Sequence, residues 1–393
     1  MDAEPGRLLL TTDTVGGVWH HSIDLARALS RFGWQVNLAS MGPFPGIAQR
    51  AQAASVPRLA LHVRSCRLEW MDAPWADVDA AGDWLLALSA RLRPDLVHLN
   101  QFAFGALPFG VPVMLGAHST VTSWWRAVKG EQAPPDWDAY RGVVGRGLRG
   151  ADLVAAPTRA MARELRRDFA FDAPLEVLPN ARDAADFRAA AKSPFVFAAG
   201  RMWDEAKNLR VLARVAPCVD WPIVVAGASA QPSSNAGDDR ADACVPLSSE
   251  GTCDGRADAR AGRAQLAMLG ELPIRAVAER MGRAAIFAHP ARYEPFGLSL
   301  LEAGLAGCAL VAGDIASLRE VWGDAALYVH PTDERGLADA LNRLIADDAL
   351  RERMGRRARS RALTYSPERM ARAYLAAYRR LREPSTGVLR CAS

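Results

Sequence analysis

Two carboxylates, Glu294 and Glu302, lie eight residues apart on either side of Gly297. Pro295 disfavours a helix at Glu294, and the apolar run after Gly297 predicts a helix whose first backbone amides are free to meet an anion. A carboxylate just before that helix can hydrogen-bond sugar hydroxyls, and one on the helix can accept both hydroxyls of a ribose. The spacing therefore predicts a sugar-nucleotide site.

Taken alone, such a pair is more often two solvated acids beside an amphipathic helix. The preceding residues favour the binding interpretation, because residues 284–290 form an apolar run that predicts a short buried strand. The loop that holds Glu294 would then leave the carboxyl end of a strand. Ligands of open α/β sheets bind at that end.

Two cations follow another predicted strand end, since Arg201 and Lys207 come six residues apart directly after Gly200. Sugar transfer from a nucleoside diphosphate builds negative charge on the departing phosphate, which a divalent metal or fixed cations must neutralise. Arginine offers a planar fork and lysine a compact charge, so both can reach a diphosphate from one loop. The alternative is that Arg201 and Lys207 are ordinary surface residues. Their position after a predicted strand favours a role in binding the diphosphate.

A metal-dependent site would need an Asp-x-Asp at a strand end, and Asp77 with Asp79 is the only literal match. These residues precede an amphipathic segment, so we assign them to solvent. The six cysteines form no CxxC pair, which indicates neither a structural zinc nor a disulfide scaffold. The sequence predicts no metal and no cofactor.

Gly16 and Gly17 lie between the first predicted strand and a helix that begins near Val18. The absence of side chains would let the backbone approach a phosphate or a sugar, although a tight turn alone would also explain the pair. The spacing is not GxGxxG, so no dinucleotide site is predicted.

Together these segments resemble the retaining GT-B glycosyltransferases of the family 4, group 1 type, which use nucleotide-sugar donors. The Glu294 to Glu302 segment resembles their E-x7-E motif, residues 200–208 resemble their Gly-Arg…Lys-Asn segment, and residues 12–21 resemble their N-terminal glycine loop. The likeness spans residues 7–382. It implies an α/β fold with two Rossmann-like, doubly wound parallel-sheet domains that face a cleft.

The resemblance also implies a role for each candidate residue. The expected catalytic residues are His118, Arg201, Lys207 and Glu294. The expected donor-binding residues are Gly16, Gly17, Phe296, Gly297, Leu298 and Glu302, with His21 on the acceptor side. A structural histidine is the alternative at His118 and at His21, and the other histidines carry no comparable support.

The chain departs from the family pattern in two places. Ala181 and Arg182 stand where relatives commonly have Gly-Val in a Pro-Asn-Gly-Val-Asp turn. Residues 229–262, rich in Ser, Asp, Gly, Ala and Arg, predict a flexible surface insertion where the family usually has a helix. Both departures concern the pocket for the donor's base.

The length of 393 residues favours two domains, each large enough for a core. Seven short apolar runs between Leu8 and Leu178, and six between Phe195 and Val329, alternate with helix-period segments and predict two parallel sheets. We expect an acceptor-side domain at residues 1–186 and a nucleotide-sugar domain at 187–366. A helix at 367–383 would cross back to the first domain, followed by a loose tail at 384–393.

Net charge is only +4, but residues 351–382 hold eleven arginines against two glutamates. Such a surface could lie on an anionic membrane, with a solvated helical face as the alternative, and nucleic acid is not an expected partner. The N-terminus lacks a signal peptide's basic start, and the uncharged residues 96–125 are broken by prolines and polar side chains. We therefore expect a cytoplasmic protein, with peripheral contact at the inner face of the cytoplasmic membrane left open.

The expected activity is retaining, metal-independent transfer of a hexose-type sugar from a nucleoside-diphosphate sugar. The acceptor would be a hydroxyl of a glycan, a lipid-linked or a small molecule, in surface glycan or glycolipid synthesis. A sugar-nucleotide epimerase on the same fold is one alternative, which the Glu294 to Glu302 pattern disfavours. A non-catalytic sugar-nucleotide-binding subunit is the other, and the joint presence of a set of four residues weighs against it: Arg201, Lys207, Glu294 and His118.

Overall fold

The computed structural model describes residues 5–228 and 266–383. The predicted insertion at 229–262 and the predicted tail at 384–393 lie outside the described residues.

The N-terminal half is built on a seven-stranded parallel sheet, the N-terminal sheet, with strand order β3-β2-β1-β4-β5-β6-β7. Its elements in chain order are β1 Arg7–Asp13, α1 Gly17–Ser30, β2 Gln35–Met41, α2 Ile47–Ala54, β3 Leu59–Val63, α3 Trp75–Leu92, β4 Leu96–Leu99, β5 Val113–Gly116, α4 Val121–Lys129, α5 Asp138–Gly150, β6 Leu153–Ala156, α6 Arg159–Asp168 and β7 Leu175–Val177. The strand order reverses between β1 and β4, and ligands of such sheets bind at this switch point.

The C-terminal half is built on a six-stranded parallel sheet, the C-terminal sheet, with order β10-β9-β8-β11-β12-β13. Its elements are β8 Ser193–Ala199, α7 Arg210–Val215, β9 Ile223–Ala226, β10 Leu266–Met268, α8 Ile274–Arg283, β11 Ala284–His289, α9 Leu298–Leu305, β12 Ala309–Gly313, α10 Ala316–Trp322, β13 Leu327–Val329, α11 Glu334–Ala346, α12 Asp348–Ala362 and α13 Pro367–Arg382. Here the switch point lies between β8 and β11.

Both predicted sheets are confirmed, and each apolar run singled out in the sequence contributes to a strand. Strands covered by helices on both faces read as continuous apolar runs, which is why these short segments were recognisable. Residues 96–125 form strand, loop and strand, as predicted, and they also include the start of α4, which was not predicted. Within residues 5–228 and 266–383, no helix is long and apolar enough to cross a membrane.

Helix α13 packs on the N-terminal half, although it follows the C-terminal sheet in sequence. Its buried Tyr374 and Tyr378 join the core formed by α1, α2 and one face of the N-terminal sheet. Burial of one large apolar side chain stabilises by about 1.5–3 kcal/mol, so this face holds the helix firmly. The chain therefore crosses between the halves twice, once after β7 and once before α13.

Cys66 and Cys308 are free thiols. Cys218 is disulfide-bonded, which the cysteine spacing did not predict.

Candidate functional site

The two glycines after β1 lie against side chains from the C-terminal half. Gly16 has a φ of +93°, and a Cβ built there would lie 3.0 Å from Arg201 Nη1. A Cβ on Gly17 would lie 3.3 Å from Leu298 Cδ1. The sequence therefore uses glycine here for two reasons, a left-handed backbone at Gly16 and a close approach of the opposite half at both positions.

Asp204 holds the cationic loop that follows β8. It caps the short 3₁₀ helix Glu205–Lys207 by accepting from Ala206 N at 3.1 Å, and it accepts from Trp124 Nε1 of α4 at 3.1 Å. Its other oxygen lies 2.7 Å from Arg201 Nη2. Asp204 thus aims Arg201 at the Gly16 loop and ties this loop to the N-terminal half, a role that the sequence analysis missed.

Lys207 and Glu294 form a close ion pair, with Nζ 2.6 Å from Oε2, and both are largely buried. His289 Nε2 lies 3.3 Å from the same carboxylate oxygen. Burial raises the pKa of Glu294, but the Lys207 ammonium and the hydrogen bond from His289 outweigh it, so the net pKa lies well below its usual range. Glu294 is therefore an ionised carboxylate, and His289 at the end of β11 is a further neighbour that the sequence analysis did not identify.

Backbone hydrogen bonds join the loop of Lys207 to the loop of Glu294. Arg292 N donates to Ala206 O at 2.8 Å, and Asn208 Nδ2 donates to Pro290 O at 2.9 Å. The two segments follow β8 and β11, the neighbouring strands at the switch point of the C-terminal sheet. Arg201 and Lys207 are about ninety residues from Glu294 in the sequence, yet all three lie at the same edge of the C-terminal sheet.

Helix α9 begins as the sequence predicted, with Gly297 as its N-cap. Gly297 has φ +92°, and no side chain caps the first turn of the helix. Phe296 is buried against the ring of Tyr365, with centroids 5.4 Å apart, and fixes the turn before the helix. The first amides of α9 therefore have no side-chain acceptor, as an anion site requires.

Glu302 is buried, and its partner is Arg182, one of the residues that departs from the family pattern. Arg182 Nε lies 2.8 Å from Glu302 Oε1, and Arg182 Nη1 lies 2.7 Å from Asp24 Oδ2 on α1. Burial raises the pKa of both carboxylates, and the Arg182 charge opposes part of that rise. The arginine found in place of the usual valine therefore neutralises two buried acids from the two halves.

His118 and His21 come together on the N-terminal side of the cleft, with ring centroids 4.8 Å apart. His118 is partly exposed in the loop after β5, whereas His21 on α1 is fully buried and its Nε2 lies 3.4 Å from Tyr374 Oη. Thr120 N, two residues after His118, lies 3.4 Å from Tyr293 Oη of the opposite half. The segment that holds His118 thus contacts the segment that holds Glu294, and His21 lies behind His118 on α1.

Asp13, at the end of β1, is a buried acid that the sequence analysis did not single out. Its Oδ1 accepts from Val15 N at 2.8 Å. Burial raises the pKa of Asp13 to about 6, although this hydrogen bond and the Arg201 charge lower it in part. Its position just before the glycine loop was the one signal in the sequence.

The residues that the structure describes contain no group of three or more His, Cys, Asp or Glu side chains able to hold a metal ion. The assignment to solvent was wrong for Asp77, which is half-buried and accepts from Arg67 N at 2.8 Å, so its carboxylate holds the loop before α3; Asp79 is exposed, as expected.

Two family models match adjoining parts of the chain, which together span residues 15–361. Residues 15–186 match the family described as Glycosyltransferase Family 4, and residues 181–361 match Glycosyl transferases group 1.

Curated relatives match over shorter segments. O-antigen chain mannosyltransferase B of Escherichia coli is 33% identical over 113 residues, which cover 29% of this chain and 30% of that protein. D-inositol 3-phosphate glycosyltransferase of Nocardioides sp. is 39% identical over 101 residues, which cover 25% of this chain and 22% of the relative. The chain thus spans less than a third of the length of these relatives.

Solved structures match over almost the whole chain. Sucrose-phosphate synthase from Thermosynechococcus elongatus has a TM-score of 0.74 at 20% identity, covering 95% of this chain and 98% of that one. Anabaena Alr3699/HepE, solved with UDP and glucose, has a TM-score of 0.70 at 14% identity, covering 95% and 100%. At these identities the likeness shows the fold alone. With both family models spanning residues 15–361 and the two parallel sheets arranged as in these structures, the chain belongs to the GT-B glycosyltransferases of the family 4, group 1 type.

Proposed function

We propose that this protein is a retaining glycosyltransferase that moves a hexose from a nucleoside-diphosphate sugar to an acceptor hydroxyl without a metal ion. The observation that carries the proposal is the cationic edge of the C-terminal sheet. Arg201 and Lys207 lie on one loop. Arg201 Nη1 faces the Gly16 backbone, since a Cβ built on Gly16 would lie 3.0 Å from it. Lys207 Nζ lies 2.6 Å from Glu294 Oε2.

In the proposed complex the diphosphate is bound by Arg201, Lys207, the Gly16–Gly17 loop and the amides of residues 296–298. Fixed donors of this kind stabilise the charge that develops on the leaving phosphate, because they need no reorganisation during the reaction. Glu302 is the proposed ribose ligand. Glu294 and His118 are the proposed contacts to the transferred sugar.

The proposed mechanism breaks the bond between the sugar's anomeric carbon and the phosphate oxygen through an oxocarbenium-like state. The acceptor hydroxyl attacks from the face that the phosphate leaves, and the departing phosphate oxygen takes the acceptor's proton. This route needs no separate protein base. Closure of the two halves would exclude water that otherwise hydrolyses the donor.

The uridine nucleotides bound to Anabaena Alr3699/HepE, which was solved with UDP and with UDP-glucose, support a UDP-sugar as the first donor to test. The names of the sequence relatives, an O-antigen mannosyltransferase and an inositol phosphate glycosyltransferase, are compatible with a cytoplasmic role in surface glycan or glycolipid synthesis. A nucleotide sugar as co-substrate and no metal are part of the same proposal.

The test is incubation of the purified chain, in EDTA, with UDP-, GDP-, ADP- and TDP-sugars, followed by thermal stabilisation and by release of nucleoside diphosphate. We expect selective stabilisation by one donor and slow release of its diphosphate. Conversion of the sugar with no diphosphate released would indicate the epimerase, and stabilisation with no turnover at all would indicate a binding subunit. Turnover that appears only when a divalent ion replaces EDTA would contradict metal independence.

A further inference from the structure

Asn100, directly after β4, makes a closed set of hydrogen bonds at the switch point of the N-terminal sheet. Its Nδ2 donates to Thr11 O at 2.7 Å and lies 3.3 Å from Ser22 Oγ. Its backbone N donates to Thr11 Oγ1 at 2.8 Å. A carbonyl oxygen only accepts hydrogen bonds, so the amide edge that faces Thr11 must be the NH₂ group.

The other edge of the same amide fixes the protonation of His118. Asn100 Oδ1 lies 2.9 Å from His118 Nε2. Since the amide oxygen cannot donate, Nε2 must carry the proton. A neutral imidazole has one N–H, so Nδ1 of His118 is left with a free lone pair. No described residue hydrogen-bonds to that Nδ1.

Gly116 leaves room for this arrangement. A Cβ at Gly116 would lie 2.6 Å from Asn100 Oδ1 and 3.4 Å from His118 Nε2. Any side chain at this position would therefore displace the pair, because the amide is also held by Thr11 and cannot retreat.

We propose that Asn100 is a positioning residue that keeps His118 in the Nε2-protonated tautomer, so that His118 Nδ1 accepts a hydrogen bond from a hydroxyl of the donor sugar. The proposal rests on the proposed function, and it adds a residue and a hydrogen-bond polarity to that site. A sugar hydroxyl that reaches His118 Nδ1 therefore donates its hydrogen bond to this nitrogen and does not accept one from it. The loop of His118 faces the loop of Glu294, through the 3.4 Å contact of Thr120 N with Tyr293 Oη.

The surroundings keep the ring neutral. His118 meets His21 from α1 at 4.8 Å between ring centroids. Burial first, and then the charge that His118 would carry, lowers the pKa of His98 on β4. Helix α13 closes this group, with Tyr374 Oη 3.4 Å from His21 Nε2 and Tyr378 Oη 2.7 Å from His98 Nδ1. Burial lowers the pKa of His118 to about 4, so Nδ1 stays unprotonated at neutral pH.

The tautomer can be observed directly by ¹⁵N NMR of histidine-labelled full-length protein. The His118 signals are assigned by their loss in His118→Gln. We expect an Nε2-protonated, neutral His118 in the wild type at pH 7, and a shift toward the Nδ1-protonated form in Asn100→Ala. An Nδ1-protonated ring in the wild type, or an unchanged tautomer in Asn100→Ala, would overturn the proposal.

Kinetics with UDP-glucose as the probe, in EDTA, test the consequence for chemistry. We expect kcat for UDP release to fall by about 10- to 100-fold in Asn100→Ala, the scale known for loss of a hydrogen-bond partner that orients a metal-ligating histidine. The affinity for UDP alone should stay unchanged, because UDP lacks the sugar. The matched control is Asn37→Ala, which removes another buried asparagine that pairs with a histidine, with Asn37 Oδ1 3.2 Å from His62 Nε2.

A second variant separates positioning from folding. In Asn100→Asp a carboxylate beside Nε2 favours the imidazolium and raises the pKa of His118, so the acid limb of the pH–rate profile should move to higher pH. A profile identical to the wild type, or an equal loss of kcat in Asn37→Ala, would contradict the proposal. If the wild type neither binds nor turns over any nucleotide sugar, the proposed function fails, and the NMR result still decides the role of Asn100.

Discussion

Arg182 and Glu302 form a buried ion pair between the two halves of the molecule, with Nε 2.8 Å from Oε1 and both side chains less than 10% exposed. Asp24 lies on the other side of the same guanidinium, at 2.7 Å. A cation between two buried carboxylates offsets their desolvation, and its removal leaves both acids without a counter-charge.

Arg182→Met should therefore lower the free energy of unfolding by about 3–5 kcal/mol. Urea denaturation of the wild type and the variant measures the difference. The control is Arg214→Met, which breaks an ion pair of similar length with Glu334 where both partners are nearly half exposed, and which should cost less than about 1 kcal/mol. Equal losses in the two variants would show that the buried pair adds no stability beyond an exposed one.

Lys207→Ala removes one of the two cations proposed to stabilise the departing phosphate. We expect kcat to fall by roughly 100-fold or more, as on the loss of one preorganised donor, and Arg201→Ala should behave alike. The measurement is steady-state release of nucleoside diphosphate from the donor that stabilises the wild type. Lys129→Ala is the control, because Lys129 Nζ pairs with the exposed Glu205 at 2.8 Å beside the same loop. This variant should keep wild-type activity. Full activity in Lys207→Ala would refute the diphosphate role.

Gly16→Ala tests whether the close approach of Arg201 matters for function. The substitution places an L side chain at φ +93° and a Cβ 3.0 Å from Arg201 Nη1. Gly110→Ala is the matched control, because Gly110 also has positive φ, +72°, but nothing lies within 4 Å of its virtual Cβ.

Both alanine variants should lose about 1–3 kcal/mol of stability, because an L side chain disfavours a positive φ. Only Gly16→Ala should also weaken donor binding, because Arg201 must move. Calorimetric titration with the donor, together with urea denaturation, separates the two effects. Equal donor affinities in the two variants would show that the Gly16 loop does not contribute to the donor site.

Asp13 should make stability depend on pH. Burial raises the pKa of Asp13 to about 6 in the folded protein, above its unfolded value of 3.8. A raised carboxyl pKa gives a stabilising contribution that is complete below the unfolded pKa and is lost as pH rises through the folded pKa. Relative to Asp13→Asn, the wild type should therefore lose about 2 kcal/mol between pH 4 and pH 7.

Melting temperatures of both proteins across that range test the Asp13 prediction. The control is Asp136→Asn, which changes an exposed acid. The melting temperature of this variant should change with pH in the same way as that of the wild type. A constant difference between the wild type and Asp13→Asn would mean that Asp13 does not titrate in this range.

The sequence alone determined the two parallel sheets, because strands buried on both faces appear as short apolar runs separated by helical periods. It also located the loops after three strands: a glycine pair follows β1, a glycine with two cations follows β8, and a glutamate, a proline and a glycine follow β11. These features depend on neighbours within about ten residues of each other in the chain.

Only the tertiary structure decided which of these groups meet. The pairing of Lys207 with Glu294, of Arg201 with the Gly16 backbone, and of Arg182 with Asp24 and Glu302 depends on how two sheets face each other, which no local pattern encodes. The same holds for Asn100, whose amide is oriented by Thr11 on the neighbouring strand and in turn sets the proton on His118. Long-range packing fixes these contacts, because burial makes each unpaired charge or amide costly and leaves one arrangement that satisfies them together.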